Sequence, residues 1–77
     1  MLYRFMLIAD GKTLYDDVVA ELPNLETACF RAVRIARDII AEEAKSGNIP
    51  IGWSITIIDE TGELVATMPF ENTVTLH

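Results

Sequence analysis

Cysteine and histidine are almost absent from this sequence of 77 residues, which has one of each, Cys29 and His77. A single cysteine excludes a disulfide within the chain. No metal site is expected, because neither residue has spaced Cys or His ligands around it. We expect no catalytic role either, because Cys29 falls on the apolar side of a predicted helix and His77 has no imidazole partner.

Positive charge is also scarce, with 6 Lys and Arg residues against 12 Asp and Glu residues and a formal net charge of −6. Residues 48–77 contain no Lys or Arg at all, and most of the basic charge lies in residues 25–47, where acidic residues balance it. An acidic surface repels a phosphate backbone, so we expect no nucleic-acid partner.

Long hydrophobic runs and cofactor motifs are missing too. The longest apolar run, Phe5 to Ala9, is far shorter than the roughly 20 residues that span a bilayer, so no membrane partner is expected. The charged residues around that run make a poor secretory signal, and one unpaired cysteine suits a reducing compartment, so we expect a cytoplasmic protein. No phosphate loop is found, and we expect no cofactor.

The composition that remains is that of a folded globular protein. It is 51% hydrophobic and 23% charged, which is too apolar for a disordered chain. Without repeats or linkers, residues 1–77 are expected to form a single domain. A core this small rarely supplies more than about 3–5 kcal/mol of net stability, so association with a second subunit is the expected source of additional burial.

Local patterns predict the elements. The opening LYRFMLIAD is apolar on both faces, which is typical of a strand covered on both sides. Asp10-Gly11 predicts a hairpin turn, and a weaker strand is expected within residues 12–22, interrupted at Asp16-Asp17 because Asp is a poor strand former.

Residues 25–46 follow a helical period with one broad apolar side,. Asn24 is expected to cap the start of this helix, and Gly47 to end it in a left-handed conformation. Arg34 and Asp38 are four residues apart and can pair weakly across the helix surface.

Two further strands are predicted, from Ile51 to Asp59 and from Leu64 to Phe70, joined by the turn that follows Asp59,. Pro69 should lie at a strand end or a sheet edge. The predicted fold is therefore α+β: a β-β-α-β-β order with a small antiparallel four-stranded sheet and one amphipathic helix packed on one face.

The motifs Asp10-Gly11, Glu21-Leu22-Pro23-Asn24-Leu25, Asp59-Glu60-x-Gly62 and Pro69-Phe70 resemble a domain-of-unknown-function family of small proteins common in rhizobia and other alphaproteobacteria. The resemblance covers nearly the whole chain and implies no activity. The chain departs from the family at Val19, where members often have Gly, and at Leu7 in the first strand, where members often have His. The first hairpin and helix also look similar in outline to a small antitoxin that blocks a toxin ribonuclease.

Five residues are candidates for contact with a partner. Phe30 lies outside the apolar side of the helix, beside Arg34 and Arg37, where an exposed aromatic residue can anchor a protein partner; single exposed apolar residues are also common. The arginines themselves suit a small anion site, but an ordinary solvated helix face is the favoured interpretation. Ile58 and Val65 add apolar side chains to the outer sides of the third and fourth strands.

We therefore expect a non-enzymatic protein-interaction module that self-associates, as a dimer, through the uncovered sheet face or an edge strand. The alternative is an antitoxin-like or regulatory protein whose acidic surface binds a basic protein partner. An enzyme is the weakest alternative, because carboxylates alone would have to be assembled between subunits.

Overall fold

The computed structural model describes residues 1–73, apart from the side chains of residues 15–17, and has an α+β fold. Its elements are, in chain order, β1 (Leu2–Ala9), β2 (Lys12–Glu21), α1 (Leu25–Lys45), β3 (Ser54–Asp59), β4 (Leu64–Pro69) and a 3-10 turn at Phe70–Asn72. The predicted β-β-α-β-β order and antiparallel sheet are confirmed.

The four strands form one sheet in the order β2-β1-β3-β4, and all neighbours are antiparallel. β1 and β2 are joined by a tight turn in which Asp10 and Gly11 have φ values of 53° and 78°. Two consecutive positive φ values are the mark of a type I′ hairpin turn. Helix α1 then carries the chain from the β2 edge to the other side of β1, so β1 and β3 are the two inner strands.

Strand β2 is continuous from Lys12 to Glu21, so the break expected at Asp16-Asp17 does not occur. The pairing of β2 with β1 instead shifts twice, once between Phe5 and Leu7 and once between Leu7 and Ile8. The extra β2 residues are accommodated as irregularities of the ladder, which let the strand continue.

Helix α1 begins and ends at the predicted signals. The Asn24 side-chain oxygen accepts a hydrogen bond from the Thr27 backbone N–H at 2.8 Å. At the other end Gly47 has a φ of 84°, and its N–H donates to the Ala44 carbonyl at 3.0 Å. These contacts satisfy backbone groups that a helix end leaves unpaired.

The core lies between α1 and one face of the sheet. Tyr3, Phe5 and Leu7 alternate toward the helix along β1, beside Ile55 and Ile57 of β3. On the helix, the residues without any exposed surface are three alanines spaced four residues apart, Ala28, Ala32 and Ala36. Their small side chains allow α1 to pack closely against β3 and β4,.

The third strand is shorter than predicted, because it begins at Ser54 and not at Ile51. Ile51 lies in a turn with Gly52, whose φ is 82°, and is 77% exposed. Phe70 leaves β4 and is buried in the 3-10 turn, where its ring centroid lies 6.0 Å from that of Trp53. Pro69 ends β4 at the sheet edge, as predicted.

Candidate interaction surfaces

The side of the sheet that points away from α1 is made by Leu2, Arg4, Met6 and Ile8 of β1 and by their neighbours on the other strands. We call it the open sheet face. None of the described elements packs over it, since α1 contacts the opposite side. β1 is therefore apolar on both sides, but the described elements cover only one of them.

A row of four side chains crosses the open sheet face. Arg4 of β1 is paired with Val19 on one side and with Ile58 on the other, and Ile58 is paired with Leu64 of β4. Val19 is 52% exposed and Leu64 57%, whereas Ile58 is half-buried. One cation thus lies among apolar side chains that are open to solvent.

A shallow depression of ≈ 250 Å³ lies at the end of this face where β1 begins. It is lined by Leu2, Arg4, Val19, Ile58 and Glu60, among others. Its mixed apolar and charged lining suits side chains of another protein better than a buried small molecule, because ligand pockets are deeper and enclose most of their ligand.

The structure separates two residues that the strand pattern placed together. Alternation predicted that Val65 accompanies Ile58 on the outer side, but a bulge in β4 pairs Leu64 with Ile58. Val65 is half-buried and packs against the core cluster. Its predicted place on the outer face is therefore corrected to Leu64, because one extra residue in a strand displaces every pairing beyond it.

The turn between β3 and β4 is held by Asp59. Its carboxylate accepts hydrogen bonds from the Thr61 hydroxyl and from the backbone N–H groups of Thr61, at 2.9 Å, and Glu63, at 3.1 Å. The Thr61 hydroxyl and the Glu63 N–H lower the pKa of Asp59 below its usual value. The carboxylate is thus committed to the turn, and it keeps this end of the sheet negatively charged.

The outer face of α1 carries the other predicted contact residues. Phe30 is 67% exposed, which confirms that it lies outside the apolar side of the helix. Arg34 is exposed, and within residues 1–73 no ion pair forms between Arg34 and Asp38. Arg37 donates from Nε to the Thr73 carbonyl at 2.7 Å, so it fastens the chain beyond the 3-10 turn to the helix.

The predicted residues therefore fall on two opposite sides of the molecule and do not form one site. Phe30, Arg34 and Arg37 belong to the outer face of α1, and Ile58 belongs to the open sheet face. Each side has its own character: the helix face is mostly charged, and the sheet face combines apolar side chains with Arg4, Thr56 and Thr67.

Sequence reasoning missed a third apolar surface, beyond the C-terminal end of α1. Ile49 is 79% exposed, and together with Ile40, Pro50 and Ile51 it lines an open depression of ≈ 210 Å³ beside Phe70. The sequence did contain a signal that Ile51 is not in a strand, because Pro50 and Gly52 flank it and both residue types interrupt strands.

Reactive groups are sparse in the part of the chain that the structure describes. Cys29 is a free thiol, half-buried and packed against the core, which fits the predicted packing role. Within those residues no group of three His, Cys, Asp or Glu side chains is placed to hold a metal ion. His77 lies outside the described residues.

No helix within residues 1–73 combines the length and the apolarity that a membrane crossing requires. Comparison with curated proteins and with solved structures found no match. Comparison with protein families found one, described as Domain of unknown function (DUF6894), over residues 2–71. The match runs from β1 into the 3-10 turn. It confirms the prediction that the chain is a member of a domain family of unknown function. The chain belongs to the DUF6894 family.

Proposed function

We propose that this chain is a non-enzymatic protein-interaction module that self-associates as a dimer through the open sheet face. The observation that carries the proposal is the row Val19, Arg4, Ile58 and Leu64, in which Arg4 lies between apolar side chains of the neighbouring strands and Val19 and Leu64 are exposed. Contiguous exposed apolar surface with a polar surround is typical of a protein-protein contact.

The size of the face supports a second copy as the occupant. Four strands about 4.8 Å apart, with about six residues each at about 3.3 Å, give a face of about 400 Å². Arg4, Thr56 and Thr67 share this face with the apolar side chains, so the apolar area is smaller than the whole face. Apolar patches of roughly a few hundred Å² are often functional. A dimer that buries such a face on each subunit buries about 800 Å² in total, which is below the usual size of specific interfaces, so we expect weak, concentration-dependent association.

The smallness of the core supports the same proposal. The largest fully buried side chains are few, Phe5, Ile55, Ile57 and Thr73, and the helix contributes alanines. Because a chain of this size has a net stability of only about 3–5 kcal/mol, burial of the second face of β1 and β3 in a dimer would stabilise the fold substantially.

A catalytic role is not part of the proposal. The carboxylate with the most hydrogen bonds, that of Asp59, is engaged by the turn that it closes. Cys29 packs against the core. The rhizobial or other alphaproteobacterial origin and the cytoplasmic location expected from the sequence stay predictions.

The test is sedimentation velocity on the purified chain from low to high micromolar concentration. At about 1 M salt, where contacts between exposed charges are screened, we expect a monomer-dimer equilibrium in the wild type and its loss in Leu64→Lys, which adds a charge at an exposed position of the face. Ile51→Lys is the matched control, because it adds the same charge at an exposed apolar residue of a different surface and should leave the dimer intact. A wild type that stays monomeric at high micromolar concentration contradicts the proposal.

A second candidate function is an antitoxin-like or regulatory protein whose acidic surface binds a basic protein. The observation that favours it is the absence of Lys and Arg from residues 48–77, together with the acidic turn around Asp59. It predicts that a small basic protein encoded beside this gene co-purifies with the chain. The doubly neutralised variant Glu60→Gln, Glu63→Gln should release that partner, and a partner that is retained equally by both forms speaks against this function.

A further inference from the structure

The outer face of α1 has a charge order that changes along the helix. Its first half carries Arg31 and Arg34, and its second half carries Asp38 and Glu42, all of them exposed. Phe30 is exposed beside the basic half, and Ala41 is exposed beside the acidic half. The middle of the face therefore has basic residues before Ala36 and acidic residues after it, with Phe30 and Ala41 along one side. Arg37, next to Ala36, and Lys45, in the last turn, are further positive charges in the second half.

This order is antisymmetric about Ala36, one residue beyond the middle of the helix. Arg34 and Asp38 stand two residues before and two residues after it, and Arg31 and Glu42 stand five and six residues away. Consider a second α1 that lies antiparallel against the first, with the two-fold axis at the height of Ala36. Each residue of one helix then faces the residue of the other helix that lies equally far from Ala36 in the opposite direction along the chain. At a rise of about 1.5 Å per residue the opposed charges then lie at matching heights.

The side of the helix on which each residue lies agrees with this pairing. At about 100° per residue, Arg31, Asp38 and Glu42 lie on one side of Arg34, and Phe30 and Ala41 lie on the other. In an antiparallel pair, residues on the same side of the two helices face each other. The basic residues therefore meet acidic residues, and Phe30 meets Ala41 of the other copy.

The charges of this face have few partners within the subunit. Among the described residues, Arg31, Arg34 and Asp38 form no ion pair within 4.0 Å, and Glu42 pairs with Lys45 at 3.5 Å, where both side chains are about three-quarters exposed. Arg37, which would meet its own copy near the axis, is held to its own subunit by the bond to the Thr73 carbonyl. This bond fixes the position of the guanidinium but leaves its positive charge, so the two copies of Arg37 repel each other near the axis.

We propose that the outer face of α1 binds a second copy of the chain in an antiparallel, two-fold arrangement, with Arg34 paired to Asp38 and Arg31 to Glu42 across the contact. This interface goes beyond the dimer of the open sheet face, because it lies on the opposite side of the molecule. Both interfaces together build assemblies larger than a dimer. The charged one weakens as salt concentration rises, whereas the apolar one does not.

The test uses complementary charge reversals in chains that also carry Leu64→Lys, so that the open sheet face does not contribute. Arg34→Asp alone brings the introduced carboxylate against Asp38 twice per dimer, and Asp38→Arg alone brings two arginines together twice. Exposed ion pairs are individually weak, but two contacts in each dimer change from attraction to repulsion, so we expect each variant alone to self-associate about tenfold more weakly than its parent. An equimolar mixture restores opposite charges at both contacts and should associate as the parent does.

The mixture separates contact between subunits from effects within one helix, since a change in helix stability is not repaired by mixing two variants. Sedimentation velocity gives the readout, and circular dichroism checks that both variants are folded. Glu60→Lys, a reversal in the turn between β3 and β4, is the control that should not change the association. A mixture that associates no better than its separate components overturns the proposal. So does a variant that associates as tightly as the parent, and neither result bears on the dimer of the open sheet face.

Discussion

The two neighbouring isoleucines of β3 offer one comparison in which core and interface are separated by a single residue. Ile57 has no exposed surface and lies in the core under α1, and Ile58 is half-buried on the open sheet face. The same substitution, isoleucine to valine, removes one methylene group at either position. Any difference between the two variants therefore reports the surroundings and not the chemistry of the change.

At Ile57 the free energy of unfolding falls by about 1 kcal/mol, because a buried methylene group is removed and a small cavity is left in its place. For a chain of 77 residues with an unfolding entropy of about 2.1 cal/mol/K per residue, this lowers the melting temperature by about 6 °C. At Ile58 the monomer loses little, about 0.5 kcal/mol or less. In a dimer that buries Ile58, Ile58→Val should lower the free energy of unfolding by nearly as much as Ile57→Val.

The assay is thermal unfolding by circular dichroism at about 5 μM and about 500 μM protein, which fall on either side of a weak dimerisation equilibrium. Ile57→Val should lower the melting temperature equally at both concentrations. Ile58→Val should lower it little at the low concentration and clearly more at the high one. If the two variants melt alike, or if the effect of Ile58→Val does not depend on concentration, the assignment of this face to a dimer is refuted.

Three further outcomes are expected from thermal and pH-dependent unfolding. Asn24→Ala removes the helix cap and should cost about 1 kcal/mol. Arg37→Gln removes the bond to the Thr73 carbonyl and should cost about 1 kcal/mol, whereas Arg34→Gln on the same face should change stability by less than about 0.5 kcal/mol; equal effects would deny Arg37 its role. The lowered pKa of Asp59 means that its carboxylate stabilises the fold above the pKa of the unfolded chain, and that this contribution is lost as the pH falls through the lowered value. The stability difference between wild type and Asp59→Asn should thus be present at neutral pH and shrink below about pH 4; a constant difference contradicts it.

The parts of the fold that were predictable from the sequence depend on neighbouring residues. Asn24 caps the helix, Gly47 ends it and Asp10-Gly11 turns the first hairpin, because each acts on backbone groups within a few positions. The exposure of Phe30 was predictable for a similar reason, since helical periodicity alone separates the two sides of α1.

The errors arose where pairing between distant segments decides the outcome. Alternation alone placed Val65 beside Ile58, but the bulge in β4 is a property of the pairing with β3. Ile51 was assigned to the third strand because of the alternation that runs through Trp53, Ile55 and Ile57, yet β3 has partners on β1 only from Ser54 onward. The strand order β2-β1-β3-β4 likewise depends on how the helix packs, and the propensities of single residues carry no information about that packing.

The alanines of α1 explain why the two sides of β1 have unequal cover. Ala28, Ala32 and Ala36 bring the helix close to the sheet, but each buries little apolar area, so the larger side chains of the inner strands, such as Phe5 and Ile57, supply most of the hydrophobic stabilisation. A helix that approaches closely covers a narrow strip and contacts β3 and β4. The two inner strands therefore also have an opposite face that no helix of the described residues covers, with Leu2, Met6 and Ile8 on β1 and Ile58 on β3. An added layer on that face would act on the same two inner strands, which is why we place the dimer there and assign the charged outer side of α1 to a separate, salt-sensitive contact.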